Sequence, residues 1–516
     1  MTFPPVVVVA IDTLAARHLG IYGYERETAP SIAEFAAESV VFENCTSNAT
    51  WTVPSFMALF SGMYPRAHEL PPDPAHAGAV QQWEQRAIAP NRWTIAEALR
   101  SAGYRTAGFV DNTWLSARLG FSQGFDVWDD SAGFVPLADR SGGIEHTTRL
   151  ALDWLDARRD ERPWFLFVHA FDVHGPYVAS LEARARFEPD ARRDEQLLAG
   201  GVNQAFGIVH EYVARGVFPE GDLPETVSSE RLRADYDGGI AELDAKLGAF
   251  FDDLRARRVF EEAIVVLLAD HGETVGESDL LFGHGVLDPL VTHVPLIVHL
   301  PHGRGTGLRV TTPVQLVDVY PTVLELVGLP HERSFLSGRS LAGAFRPGYE
   351  LEELPQFSFG GLIENQRSVR LGRWCLHWSR PLDGPLAARL THPRMPREDV
   401  VAAFPHLARR GMTKAVDDEL LADPGREALE RFASERLPEV LIELYDLEAD
   451  PQERRDVASE HPEVVAQLME LIERNREEVR VLRDLAVRPR ELPSLSDEAL
   501  EILRGLGYAD EAEAQD

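Results

Sequence analysis

Over residues 1–330 short apolar runs alternate with stretches of helical periodicity. A strand covered on both faces needs an unbroken apolar run, and residues 6–11 (Val-Val-Val-Val-Ala-Ile) and 264–269 (Ile-Val-Val-Leu-Leu-Ala) have that character. Residues 40–42, 106–110, 164–169 and 296–300 are further strand candidates. Helices fit 31–38, 94–102, 142–158, 232–257 and 315–327, where apolar positions recur with helical spacing. This alternation predicts an α/β fold with a mostly parallel central sheet covered by helices on both faces.

After Gly328-Leu329-Pro330 the pattern changes to shorter, less regular elements. Residues 368–378 read as a strand and turn of a short antiparallel sheet, so 1–330 are expected to form the main domain and 331–510 a smaller C-terminal α+β subdomain. A length of 516 residues, more than one hydrophobic core usually organises, agrees with that division. The charged segment 178–231, with its Pro/Gly loop at 218–224, reads as an insertion or lid. Residues 463–482 predict a charged, solvated packing helix, and 511–516 an acidic tail.

The formal charge of −32 argues against nucleic acid and anionic membrane surfaces as partners. An anionic substrate would then be held by local cations and histidines, not by the overall field. No run approaches the ~20 apolar residues of a membrane span, and the start of the chain has no export-signal pattern, so a cytoplasmic location is expected. Cys45 and Cys375 are too few for a disulfide framework and read as two thiols. Oligomeric state has no signature in the sequence.

Candidate chemistry sits where the two longest apolar runs end. Asp12 follows the first and Asp270-His271 the second; in a parallel sheet those positions lie at the ligand-binding edge. Two carboxylates and an imidazole could hold one divalent cation, and Thr52, on the turn made rigid by Pro54, could present a hydroxyl to it. The plainer alternatives are that the aspartates cap helices, that Asp-His-Gly is a turn, and that Thr52 caps the helix that follows Pro54.

These residues stand in an ordered series of motifs: Ile11-Asp12-Thr13-Leu14, Trp51-Thr52-Val53-Pro54-Ser55, Ser61-Gly62-Met63-Tyr64-Pro65, Asp172-Val173-His174-Gly175-Pro176, Asp270-His271-Gly272-Glu273, Gly283-His284-Gly285 and Leu444-Tyr445-Asp446-Leu447. The series resembles the sulfatase family of the alkaline phosphatase superfamily and covers most of the chain. The resemblance implies an alkaline-phosphatase-like sheet and an esterase acting on small anionic esters: phosphate, phosphodiester, phosphonate or sulfate. By the same resemblance, Asp12, Thr52, Asp270 and His271 would bind the metal, Thr52 would be the nucleophile, and His174 and His284 would bind the anion and protonate the leaving oxygen.

The chain also departs from that pattern. Sulfate-ester hydrolases of the family carry a Cys or Ser, oxidised to formylglycine, where this chain has Thr52, and Phe56 replaces the Arg that the oxidation pattern needs. Thr13 replaces a second carboxylate and Arg17 an acidic residue. With one histidine and few carboxylates, Mn²⁺ or Zn²⁺ fits the ligand types better than Ca²⁺, which family precedent keeps in view. Asp172, His174 and His284 are an alternative second metal set, and His169 reads as a core histidine. The competing function is a degenerate, catalytically impaired relative that binds a metal and an anionic ligand but turns over little.

Overall fold

The computed structural model describes residues 3–68, 88, 92–134, 143–175, 177, 179–188, 229–275, 284, 287–330, 336–360, 366–379 and 440–485. Most of the expected lid (189–228), the segment 386–439 and the acidic tail 511–516 lie outside the described residues.

The centre of the molecule is a nine-stranded sheet in the order β4-β3-β5-β1-β6-β7-β2-β8, with β9 paired to β2. Its strands are β1 (Val6–Ile11), β2 (Val40–Thr46), β3 (Arg105–Phe109), β4 (Val127–Asp129), β5 (Trp164–Ala170), β6 (Ile264–Ala269), β7 (His293–His299), β8 (Arg309–Val310) and β9 (Val314–Gln315). β1 runs parallel to β5 on one side and to β6 on the other, and β7 is antiparallel to both β6 and β2. Every residue of β1 and β6 is buried, which is why both read as unbroken apolar runs. Fully burying one such Val or Leu side chain stabilises the fold by roughly 1.5–3 kcal/mol.

The helices that matter to the site are α1 (Pro30–Ala37), α2 (Thr52–Ser61), α3 (Ile95–Ser101), α4 (Ile144–Ala157), α5 (Ser229–Ala256), α6 (Val319–Leu326) and α7 (Pro462–Leu485). The periodicity at 315–327 predicted one helix, but β9 and a 3₁₀ turn (Leu316–Asp318) come before α6. Asp318 makes the break: its carboxylate accepts the N–H groups of Gln315 at 3.0 Å and Arg339 at 2.8 Å, tying the turn to a distant loop.

A second, antiparallel sheet is formed by β10 (Gln356–Gly360), β11 (Gln366–Leu371), β12 (Trp374–Ser379) and β13 (Leu441–Asp446), in that order. Its Phe357, Phe359, Val369, Leu376 and Leu444 share one buried cluster with Ala58, Met63 and Tyr64, at and just beyond the end of α2, and with Leu468 and Ile472 of α7. α7 buries this apolar stripe and carries Arg476–Glu473 and Arg480–Glu477 pairs on its exposed side. The second sheet also grips the segment leading into α2. The Phe359 N–H donates to Asn48 O at 3.1 Å, and Asn48 Nδ2 donates to Phe357 O at 2.9 Å. Among the described residues no helix is long and apolar enough to cross a membrane.

Candidate metal centre

Register alone brings the two aspartates together. Ile11 is the neighbour of Ala269 in the β1–β6 pairing, so Asp12 and Asp270 leave adjacent strands side by side. Both are buried, as is His271. One ligand atom from each of Asp12, Asp270 and His271 lies within 4.8 Å of the others, and among the described residues Asp12 Oδ1, Asp270 Oδ2 and His271 Nε2 have no hydrogen-bond partner. His271 Nε2 is 3.7 Å from Asp12 Oδ1 and 3.4 Å from Asp270 Oδ2.

The other atoms of the same side chains are engaged, which fixes their orientation. Asp270 Oδ1 accepts the N–H of Thr13 at 3.2 Å and of His271 at 2.8 Å. Asn112 Nδ2 donates to Asp12 Oδ2 at 2.6 Å, and His271 Nδ1 is 2.9 Å from Gly272 O. Burying a polar atom without a partner costs roughly 1–3 kcal/mol. Three such atoms, converging from rigidly held groups, fit a divalent cation with two oxygen donors and one nitrogen donor.

Thr13 reaches Asp270 only by adopting a left-handed backbone, φ 58°. For a β-branched residue that conformation is an outlier and costs on the order of 1–3 kcal/mol. Tyr236 of α5 holds it: the phenol donates to Thr13 O at 2.6 Å and accepts the Ala15 N–H at 3.0 Å. Asp237, next on the helix, faces His18 at 2.7 Å and accepts from Tyr24 at 2.7 Å and Arg26 at 2.8 Å. His18 and Tyr24 therefore anchor the loop after β1.

Thr52 opens α2 and is buried. It is not the capping residue: Trp51 occupies the N-cap, and no side chain caps this helix. Ser55, one turn on and on the same face as Thr52, donates to the backbone carbonyl of Asp270 at 2.6 Å, and Ser47 donates to the same oxygen. The helix N-terminus is thus fastened to the strand end that carries Asp270. Phe56 packs its ring 5.4 Å from His169 and 6.0 Å from Phe167, filling its place with core.

The histidines gather around these groups. The ring centroids of His271 and His284 are 4.5 Å apart, and those of His174 and His284 are 5.2 Å apart. His284 Nδ1 lies 3.1 Å from the buried carboxylate of Glu273, and His174 Nδ1 lies 2.5 Å from Gly175 O, which leaves its Nε2 for chemistry. His169 differs from the satisfied core histidine expected: it is buried, its ring nitrogens lack hydrogen-bond partners among the described residues, and Nε2 stands 3.4 Å from Asp12 Oδ2.

Asp172 is committed elsewhere. It accepts Ile144 N–H at 2.7 Å, at the start of α4, and Lys246 Nζ at 2.9 Å. Among the described residues, Asp172, His174 and His284 do not form a second cation cluster.

Sequence reasoning passed over Asn112 and gave Glu273 no role. Asn112 was within reach, since it follows β3 at the same sheet edge that singled out Asp12 and Asp270.

Electrostatics separates the two aspartates. Burial works to raise the Asp12 carboxyl, but His169 and the other surrounding histidines outweigh it and hold Asp12 below the usual carboxylate range. Burial, then the charge of Asp12, pushes Asp270 well above that range. Burial also pushes His271 down to about 3 and lowers His174, so both imidazoles are neutral near pH 7. At pH values below the raised pKa of Asp270 an entering cation must displace its proton, whereas His271 is ready to ligate. Divalent-cation affinity is expected to fall as pH drops below the raised pKa of Asp270, by about tenfold per pH unit for one displaced proton. Titration calorimetry with Mn²⁺ at a series of pH values measures this, and an affinity flat with pH would contradict it.

A protein-family profile described as Sulfatase matches residues 4–329. The chain is 25% identical over 370 residues to arylsulfatase K of Rattus norvegicus, a match covering 66% of this chain and 62% of the rat protein, less than two thirds of its length. It is 24% identical over 415 residues to a choline-sulfatase of Rhizobium meliloti (strain 1021), covering 72% of this chain and 77% of that protein. In fold it resembles the phosphonate monoester hydrolase of Agrobacterium radiobacter, with a TM-score of 0.61 and 17% identity over 92% of this chain and 96% of the other. With the profile spanning more than half of its length, this chain belongs to the sulfatase family.

Proposed function

We propose that this protein is a metal-dependent hydrolase of small anionic esters, with one divalent cation held by Asp12, Asp270 and His271 and with Thr52 as nucleophile and fourth ligand. The observation that carries the reading is the convergence of three buried, unpartnered donor atoms at the ends of adjacent parallel strands. An imidazole donor beside two carboxylates favours Mn²⁺ or Zn²⁺, with Ca²⁺ the family alternative. Bound there, the cation would acidify a neighbouring hydroxyl and neutralise charge on the ester oxygens.

The rest falls to the chain's own residues. Thr52 sits in the first turn of α2, where the helix N-terminus adds positive potential for a developing anion. Its oxygen attacks the phosphorus or sulfur, forming a threonine ester as the bond to the leaving oxygen breaks. The neutral His174 takes the Thr52 hydroxyl proton, His284, oriented by Glu273, gives the leaving oxygen its proton, and water later hydrolyses the threonine ester. A threonine cannot supply formylglycine chemistry, so phosphate, phosphodiester and phosphonate esters come before sulfate esters.

The test is a panel of aryl phosphate, phosphodiester, phosphonate and sulfate esters. The chain is assayed after chelation and after reloading separately with Mn²⁺, Zn²⁺ and Ca²⁺. Turnover of at least one ester, lost on chelation and restored by a cation, is the expected result. Cation binding with no turnover of any ester would make the protein a binding member of its family.

A further inference from the structure

The small sheet holds a second set of buried donor atoms, remote in sequence from the strand ends. Cys375 and His377 stand two residues apart on β12 and so project from the same face. Opposite them in register on β13 are Tyr445 and Glu443, whereas Leu376 and Leu444 supply the apolar face. Glu453, beyond β13, reaches back to this polar face. Its Oε2 is 2.7 Å from His377 Nε2, and Cys375 Sγ is 3.4 Å from the same nitrogen. One donor atom from each of Cys375, His377 and Glu453 lies within 4.8 Å of the others, on side chains of residues only 6%, 3% and 8% exposed. Glu453 takes a left-handed backbone, φ 53°, in the turn that supplies it.

We propose that Cys375, His377 and Glu453 form a structural site for a thiophilic divalent cation of the zinc type, separate from the cation at Asp12 and Asp270. Zinc bonds of about 2.0–2.3 Å place tetrahedral ligands about 3.3–3.7 Å apart. The sulfur–nitrogen separation already has that value, and the histidine–glutamate pair needs to open by roughly 0.5 Å. A thiolate, a carboxylate and a neutral imidazole around a dication sum to zero charge, which removes the penalty that burying an ion otherwise carries. Sulfur among the donors selects Zn²⁺ over Ca²⁺, Mg²⁺ or Mn²⁺, so the chain would hold two cations of different character. The fourth position falls to water or to Glu443, which stands across from His377 and whose Oε1 accepts the Tyr445 hydroxyl at 3.1 Å. The bond would tie β12 to the turn after β13, stiffening the sheet that grips Asn48 on the approach to Thr52.

The experiment uses the full chain, stripped of metal and reloaded with Co²⁺ or Zn²⁺. Because the site at Asp12 has no sulfur, only the proposed one produces a near-ultraviolet thiolate-to-cobalt band. The band is expected in the parent and in Asp270→Asn, and its absence from the parent overturns the proposal. Elemental analysis of the zinc-loaded protein should give two equivalents per chain, falling to one in Cys375→Ala and in His377→Gln with ester hydrolysis retained. A single equivalent in the parent, unchanged in both variants, reduces the cluster to a buried histidine–glutamate ion pair. If neither variant folds, the parent's cobalt spectrum decides alone. The proposal stands or falls apart from the esterase reading, since Asp270→Asn should remove the cation at the strand ends without touching the thiolate band.

Discussion

Asp270→Asn is expected to abolish cation binding at the strand ends, and hydrolysis with it, while making the metal-free chain more stable. The amide preserves Oδ1, which accepts from Thr13 and His271, so the loop geometry survives. What changes is Oδ2, one of the cluster's three buried atoms with no partner among the described residues. An amide nitrogen there turns a donor toward Asp12 Oδ1 and removes the negative charge that a cation needs. Losing a ligand should cost more than the about 10–100-fold that follows loss of a supporting hydrogen bond.

The gain in stability follows from the raised Asp270 pKa. A carboxyl with a folded-state pKa above its unfolded value is a net cost at neutral pH, and the cost disappears as pH falls below the unfolded value near 4. In the presence of a chelator the variant should therefore be more stable than the parent at pH 7. The gap should close toward pH 4. Denaturant titrations at the two pH values measure it. A variant that keeps full cation affinity, or is less stable than the parent in chelator, would contradict this account of the site.

Thr52→Ala should remove most turnover without removing the cation. Asp12, Asp270 and His271 remain, and Trp51 still occupies the N-cap, so deleting a hydroxyl that caps nothing leaves α2 intact. Covalent catalysis fails without its nucleophile, and the loss is expected to exceed the about 10²–10⁴-fold of removing proton transfer, as in His284→Ala. Thr52→Ser, which keeps the oxygen but loses the methyl that restrains its rotamer, should retain part of the activity. The pair is read by kcat on the best ester, with calorimetry to confirm cation binding. Should Thr52→Ala match the parent on every ester, a water molecule must be the nucleophile and Thr52 a packing residue.

Unbroken apolar runs located β1 and β6 to the residue, because strands buried on both faces have no polar positions to blur their ends. Their positions also predicted Asp12 and Asp270 at one sheet edge, since a parallel pair places its chain ends together. The pattern was less informative where polar groups organise the backbone. The helix expected over 315–327 was divided by Asp318, whose partner Arg339 is distant in sequence. β7 was legible as a strand, but its antiparallel direction depends on which neighbours it meets.

Sequence by itself therefore determined the fold class, the family and the strand ends at which Asp12 and Asp270 stand. Only the tertiary structure decided how each polar atom is used: that Asn112 and Thr13 occupy one oxygen of each aspartate and leave the other toward His271, and that Asp172 serves a helix N-terminus. It likewise decided that Cys375, His377 and Glu453 meet. The physical reason is that periodicity records which face of an element is apolar, a local property. The partner of a buried polar group is set by which distant segments the packed core brings within hydrogen-bonding distance.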